Sequence, residues 1–203
     1  MKVENNQTKD DRPNIVLILA DDMGFSDIGC FGSEIATPNL DKLAASGLRF
    51  SQMYNYARCC PSRASLMTGI SPHRAGIGHM TGDLQLPGYR GFLNNNCVTV
   101  AEVLRDAGYQ TLMSGKWHVG GDYDLQKPDT WSAGDAAHPT PTQRGFDKHF
   151  GTLTGAGSFF HPLTLFEDDH HIAPDSPDFY YTDAIAGKAI EMVDDASSKD
   201  EPF

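Results

Sequence analysis

The sequence predicts an α/β fold built on a mostly parallel, mixed sheet sandwiched by helices. Three observations carry this. Asn14-Ile-Val-Leu-Ile-Leu-Ala20 is a continuous apolar run with β-branched residues; continuity rather than alternation marks a strand buried on both faces. Helix signatures follow in order along the chain. A second strand signature comes after them, an order that suits strands joined by helical crossovers.

Residues 1–11 are polar and read as a solvated, disordered tail, which leaves residues 12–203 as the folded portion. The first strand ends abruptly at Asp21-Asp22. Thr37-Pro38 opens a helix, with Thr as N-cap and Pro at the first helical position. Leu40, Leu43 and Ala44 keep helical spacing, and Gly47 closes it. Pro61 starts a short helix that Gly69 ends. Thr99-Val-Ala-Glu102 is a capping box, opening a helix with Val100, Val103, Leu104 and Ala107 on its inner face and Gly108 at its end. Tyr109–Met113 then reads as a strand leading into Gly115-Lys116-Trp117-His118. Residues 120–144 are rich in Gly, Asp and Pro and read as a long loop, often functional in a compact domain. Residues 145–157 read as turns and 162–178 as irregular. Thr182–Val193 reads as a helix with Ile185, Ala189 and Met192 on one side.

Composition narrows the function classes. The 203 residues suffice for one sizeable core. A formal net charge of −11 excludes nucleic acid as the main partner, since a phosphate-backbone binder needs a basic face. An acidic chain can still hold an anionic substrate where local cations and a metal reverse the field. No apolar run has the length of a membrane span. No secretory signal precedes the first strand, so the chain reads as cytoplasmic as written, or as periplasmic or secreted if its N-terminus is incomplete. Asn6-Gln7-Thr8 fits a glycosylation sequon. The four cysteines are too few for a disulfide scaffold, and Cys59 and Cys60 are adjacent.

Three segments can carry chemistry. Asp21-Asp22 stands at the carboxyl end of the first strand, where open α/β sheets bind ligands. Two carboxylates there suit a hard cation or form an ordinary turn. Cys59-Cys60-Pro61-Ser62-Arg63 puts a cysteine just before a helix N-terminus, which stabilises negative charge; Arg63 lies one turn in. Cys59 is then an activated thiolate or a small packed side chain. Lys116 and His118, two apart, share a side if extended; one can hold charge while the other moves protons, or both belong to a polar loop anchored by Trp117.

Cys59-x-Pro61-Ser62-Arg63, with Met67-Thr68-Gly69 after it, resembles the signature of type I, formylglycine-dependent sulfatases, arylsulfatase-like members of the alkaline phosphatase superfamily. Pro13-Asn-Ile-Val, Asp21-Asp22, Thr37-Pro38-Asn39-Leu40-Asp41, Gly115-Lys116-Trp117-His118 and Arg144-Gly145-Phe146-Asp147 resemble further family segments in the family's order. Agreement at several separated places is far more specific than one motif.

The resemblance implies an alkaline-phosphatase-like fold, of which residues 12–203 are the N-terminal portion of the catalytic domain, truncated before the C-terminal part. It implies hydrolysis of an aryl or carbohydrate sulfate monoester through 3-oxoalanine (formylglycine) made from Cys59 by a formylglycine-generating enzyme. The hydrated aldehyde would attack sulfur and expel the alcohol, and its second hydroxyl would drive release of the sulfate. Asp21, Asp22 and the modified Cys59 would bind Ca²⁺ (or Mg²⁺). Arg63 and Lys116 would stabilise the oxyanions, and His118 would move the proton. A further Asp, an amide residue and a sulfate-binding Lys of the family are not visible in this sequence, so the isolated chain is expected to be unstable or inactive. His161 reads as a surface-loop histidine or a sulfate-binding one. His170-His171 beside Asp168-Asp169 reads as a solvated acidic loop or a metal tract. Alternative functions are a phosphonate monoester or phosphodiester hydrolase of the same superfamily, an inactive fragment, and a thiolate enzyme using Cys59 with His118.

Overall fold

The computed structural model describes residues 11–203. The expected tail, Asp11 apart, and the sequon at Asn6 lie outside the described residues. Two compact units make up the chain, Leu17–Asn55 and a larger one that runs from Tyr56 to Phe203 and includes the described residues up to Val16.

In the smaller unit, 3₁₀ turns at Phe25–Asp27 and Gly29–Phe31 precede helix α1, Pro38–Ser46. The boundaries of α1 match the sequence expectation, with Thr37 before it and Gly47 after it. The Thr37 hydroxyl does not cap the helix. It accepts the Gly29 N–H (2.8 Å) and donates to Asp41 (3.0 Å), which also accepts the Cys30 N–H (2.6 Å). A Cβ on Gly29 would come within 2.6 Å of the Asp41 carboxylate, so only glycine lets the turn close on α1 this way. Phe25 stacks on Phe31 with ring centroids 4.1 Å apart.

The larger unit holds a four-stranded mixed sheet in the order β1-β2-β3-β4: Leu112–Ser114, Lys148–Thr152, Leu165–Glu167 and His170–His171. β1 runs parallel to β2, Met113 opposite His149; the other two pairings are antiparallel. The helices are α2 (Cys59–Thr68), α3 (Pro72–Ala75), α4 (Val100–Asp106) and α5 (Tyr181–Ser197). α5 packs over β1 and β2, where Met192, Phe150 and Leu165 form one core. The main core gathers Cys60, Ala64, Ile77, Leu93, Trp117 and Leu153. Among the described residues no helix is long and apolar enough to cross a membrane.

Several expected elements shift, for physical reasons. Residues 14–20 form no strand. Ile15 donates its N–H to the Phe203 carbonyl (2.6 Å), yet Ile15–Leu19 stay 46–75% exposed. An apolar run records a preference for burial, whereas a strand needs a partner ladder along its length. The second strand starts at Leu112, because Tyr109 still bonds the Leu104 carbonyl and Gln110 the Pro202 carbonyl. The capping box at Thr99 forms as expected (Glu102 N–H to Thr99 Oγ1, 3.0 Å; Thr99 N–H to Glu102 Oε2, 2.6 Å). The buried face of α4 is nevertheless Ala101, with Val100 and Val103 40% and 55% exposed, and the Thr99 hydroxyl at its head is tied to the Arg144 carbonyl (2.6 Å). β2 and β3 arise where turns and irregular chain were expected. Their residues, Lys-His-Phe-Gly-Thr and Leu-Phe-Glu, mix strand-favouring Phe and Thr with disfavouring Lys, Gly and Glu, and the ladder between them decides. α5 runs on to Ser197 because Ala196 repeats the buried face one turn after Met192.

Arg144, 5% exposed, ties the long loop to α4. It donates to Glu102 (2.9 Å), the Cys97 carbonyl (2.7 Å) and the Leu93 and Asn94 carbonyls.

His149 on β2 is fully buried, and neither ring nitrogen reaches a hydrogen-bond partner. Burial pushes its pKa down to about 4, against the pull of the Asp168 and Asp169 charges. The folded state therefore binds fewer protons than the unfolded one between the ordinary histidine range and about pH 4. Stability is full above that range and falls as pH drops through it, by about 3 kcal/mol if one histidine acts alone. Urea midpoints at pH 7 and pH 4.5 check this, and His149→Phe should flatten the difference. An equal pH slope in the variant would assign the loss to other groups.

Candidate active site

α2 positions the cysteine expected as nucleophile. Arg58 is the last extended residue (φ −134°, ψ 153°), and the helix begins at Cys59 rather than at Pro61. Pro61 sits inside the first turn, where its missing N–H would have no intrahelical acceptor anyway. Cys59 therefore heads the helix instead of preceding it. It is partly exposed, whereas Cys60 is fully buried, and all four cysteines are free. Tyr56 N–H donates to Ser62 Oγ (3.1 Å), pinning the lead-in. The first amides of this ten-residue helix favour negative charge beside Cys59.

Arg63, one turn on, donates to the Lys116 carbonyl (2.5 Å), which joins two of the segments singled out in the sequence. Burial pushes the Cys60 thiol up to about 12, Cys59 adds to this, and Lys116 and Arg63 draw it back. Both cations therefore act on the start of α2.

Lys116–His118 continue the pairing of β1 with β2 beyond the strand ends. Gly115 N–H donates to Phe150 O (2.8 Å), Trp117 N–H to Thr152 O (2.9 Å) and His118 N–H to Leu153 O (3.0 Å). Trp117, 1% exposed, is the packing anchor: it meets Phe146 edge-on at 6.3 Å, and its indole donates to Pro139 O (2.8 Å). His118 is 6% exposed and has φ 58°. The simple alternation that would place Lys116 and His118 on one side of an extended chain fails at this residue. A left-handed non-glycine residue stores roughly 1–3 kcal/mol of strain, and such residues cluster at functional sites.

Asp21 and Asp22, in the smaller unit, are exposed at a bend, with Asp22 at φ 53°. Adjacent carboxylates match a hard cation in kind but supply fewer oxygens than the six to eight such an ion takes. Among the described residues no group of three His, Cys, Asp or Glu is gathered to hold a metal. His161 is exposed, its backbone N–H held by Ser158 Oγ (3.1 Å). His170 and His171 form the exposed strand β4, and His171 Nε2 contacts the Leu163 carbonyl (2.8 Å). Asp168 and Asp169 are used structurally, the first by the His149 N–H and the second by the Thr140 and Thr142 hydroxyls.

Two residues join the site that sequence reasoning passed over. Gly155 faces the His118 imidazole so closely that a methyl there would collide with the ring. Tyr181 OH accepts the Thr152 N–H (2.9 Å) and pairs with the Thr152 hydroxyl. Burial raises the Tyr181 pKa, while Thr152 and then Arg63 oppose the rise, so Tyr181 feels the Arg63 charge. The glycine cluster Gly155-Ala-Gly157 was the available signal for the first; nothing local marks the second.

Comparison with known proteins places this arrangement. The family model described as Sulfatase matches residues 13–203. The arylsulfatase of Klebsiella aerogenes is 37% identical over 207 residues, covering 95% of this chain and 41% of its own length. The crystal structure of Ps i-CgsB in complex with k-i-k-neocarrahexaose superposes with a TM-score of 0.75 at 32% identity, covering 94% of this chain and 43% of that one. The structure of BT4656 with its substrate D-glucosamine-2-N,6-O-disulfate gives a TM-score of 0.66 at 31% identity, covering 90% and 31%. The chain thus spans less than half the length of these relatives.

Proposed function

Since this chain belongs to the sulfatase family, we propose that it takes part in hydrolysis of a sulfate monoester, with Cys59 converted to formylglycine as nucleophile. The observation that carries the reading is the convergence on the head of α2: Cys59 at its first residue and Arg63 bonded to the carbonyl of Lys116. Arg63 and Lys116 hold the sulfate oxygens and the charge that develops on them, which is where fixed cations contribute most. His118, held by backbone bonding and closed over by Gly155, moves the proton that releases the sulfate. Asp21 and Asp22 offer oxygen ligands to a divalent cation, Ca²⁺ or Mg²⁺, which would supply charge stabilisation when bound. The substrate is a sulfated carbohydrate or aryl sulfate, and the modifying partner is a formylglycine-generating enzyme.

The test is the mass of the tryptic peptide Cys59–Arg63 from protein made in its native host, together with sulfate and phosphonate ester turnover. Loss of the Cys59 sulfur in favour of an aldehyde, with sulfate turnover ahead, is the expected result. A free thiol throughout overturns the nucleophile. Faster phosphonate cleavage overturns the substrate class.

A further inference from the structure

We propose that Tyr181 is a positioning residue: its hydroxyl braces the segment 152–155, and through that segment it holds the Lys116–Trp117 peptide and the His118 ring in place. The proposal rests on the sulfatase reading above for what Lys116 and His118 do, and on the bonding geometry for the brace itself.

The peptide group between Lys116 and Trp117 is held from both sides. Its carbonyl accepts from the Arg63 guanidinium (2.5 Å), and its N–H donates to the Thr152 carbonyl (2.9 Å). A hydrogen bond from a charged donor is the stronger kind, and polarising the carbonyl strengthens the bond made by the N–H of the same peptide. The plane of this peptide sets where Lys116 leaves the chain and how His118 follows, with its φ of 58°. A displacement of about 1 Å in a reacting group can cost roughly 100-fold in rate. Whatever fixes Thr152 therefore bears on the candidate site.

Tyr181 fixes Thr152. Its hydroxyl accepts the Thr152 N–H (2.9 Å) and pairs with Thr152 Oγ1 (3.1 Å), which in turn reaches the Thr154 carbonyl (3.3 Å). The next residue is Gly155, packed against the His118 imidazole with no room for a Cβ. One phenol thus supports both contacts that the 152–155 segment makes with the candidate site, the bond to Trp117 and the surface against His118.

The phenol is itself anchored. Tyr181 is the first residue of α5, and Ile185, one turn on, accepts the Ser114 hydroxyl on its carbonyl (2.7 Å). Ser114 ends β1 and Thr152 ends β2. The head of α5 therefore ties down both strands at the ends from which the candidate residues continue. Burial raises the Tyr181 pKa, with Thr152 and then Arg63 opposing the rise. The hydroxyl keeps its proton at neutral pH and serves as a hydrogen-bonding group rather than a base. Phenylalanine at 181 would fill nearly the same space and leave the Thr152 N–H without this acceptor.

The experiment is amide hydrogen exchange, read by NMR on the isotope-labelled chain, in wild type, Tyr181→Phe and Met192→Ala. Turnover of 4-nitrophenyl sulfate by native-host protein is measured beside it, at a temperature where all three are folded. Met192 lies in the core that α5 shares with the sheet, so its truncation loosens α5 and leaves the Tyr181 hydroxyl in place. Tyr181→Phe should speed exchange about tenfold at the Thr152 amide and several-fold at the Trp117 amide. It should lower kcat about tenfold with KM within about twofold. Met192→Ala should lower the thermal midpoint at least as far and keep kcat within about twofold. Faster exchange confined to Thr152 would make the bond a local one, and an equal fall of kcat in both variants would assign the loss to the packing of α5; either overturns the brace. Should Tyr181→Phe not fold, the wild type decides: protection of both amides supports the proposal, and exchange of either at the free-chain rate overturns it. Absence of wild-type turnover counts against the sulfatase reading instead, and the exchange rates still judge the brace.

Discussion

Cys59→Ala should lower sulfate release by about 10⁴-fold or more, the scale on which loss of a covalent nucleophile is felt. The neighbour does not substitute. Cys60 is fully buried, and its thiol is pushed up to about 12, so it carries almost no thiolate at neutral pH. Arg63 and Lys116 remain in place in this variant, because the bond between Arg63 and the Lys116 carbonyl does not involve Cys59. Binding of sulfate should therefore persist, so the loss falls on kcat with KM little changed. Progress curves with an aryl sulfate, and competition by inorganic sulfate, separate the two parameters. The thermal midpoint serves as control, since Cys59 is only partly buried. Residual turnover within tenfold of wild type would remove Cys59 from the nucleophile's role.

Arg144→Met should cost about 3–5 kcal/mol, the range for breaking a buried ion pair from one side. For a chain of this size that is a fall in Tm of roughly 6–20 °C. Burial works against the charge on both partners. Their mutual hydrogen bond overcomes it, holding Glu102 below the usual carboxylate range and Arg144 above its own. Removing the guanidinium leaves Glu102, 24% exposed at its side chain, with the Thr99 N–H as its remaining partner, takes the Arg144 donor from the Cys97 and Leu93 carbonyls, and leaves the Asn94 carbonyl to the Cys97 thiol. Arg144→Lys should rescue little, because one ammonium does not reproduce the fork that reaches four acceptors. Calorimetric melts of the three proteins decide this; a shift under about 3 °C for the methionine variant would show that the loop is held by its other bonds.

Features written in neighbouring residues were legible in the sequence. The bounds of α1, the capping box at Thr99 and the glycine after α2 depend on chemistry within one helical turn. The cysteine signature and the segment Lys116–His118 were also picked out from neighbouring residues, whereas the bond from Arg63 to the Lys116 carbonyl that joins them was not. What depends on partners distant in sequence was not. Lys148–Thr152 looks like a turn until Leu112–Ser114 and Leu165–Glu167 lie beside it. Asn14–Ala20 looks like a buried strand until its ladder is sought and found to stop at Ile15. Arg144 was noticed only as part of a family segment, and its work in bonding α4 and the loop at 93–97 needs the tertiary fold. Gly155 is one of 20 glycines; only the His118 ring against it sets it apart.

The exposed stretch Ile15–Leu19 has a consequence for how the protein behaves in the tube. Six consecutive residues, Ile-Val-Leu-Ile-Leu-Ala, carry high β-propensity, no charge and no proline, which is the composition of a steric zipper. Among the described residues only Ile15 of this stretch has a backbone hydrogen-bond partner, the Phe203 carbonyl, so the rest presents donors and acceptors to a second copy. Loss of this protein from solution should then be a colloidal event, second order in concentration and hastened by sulfate or phosphate buffers that strengthen apolar association. Dilution and a charge placed within the stretch would preserve it better than cooling, since cold weakens the apolar packing of the native core as well.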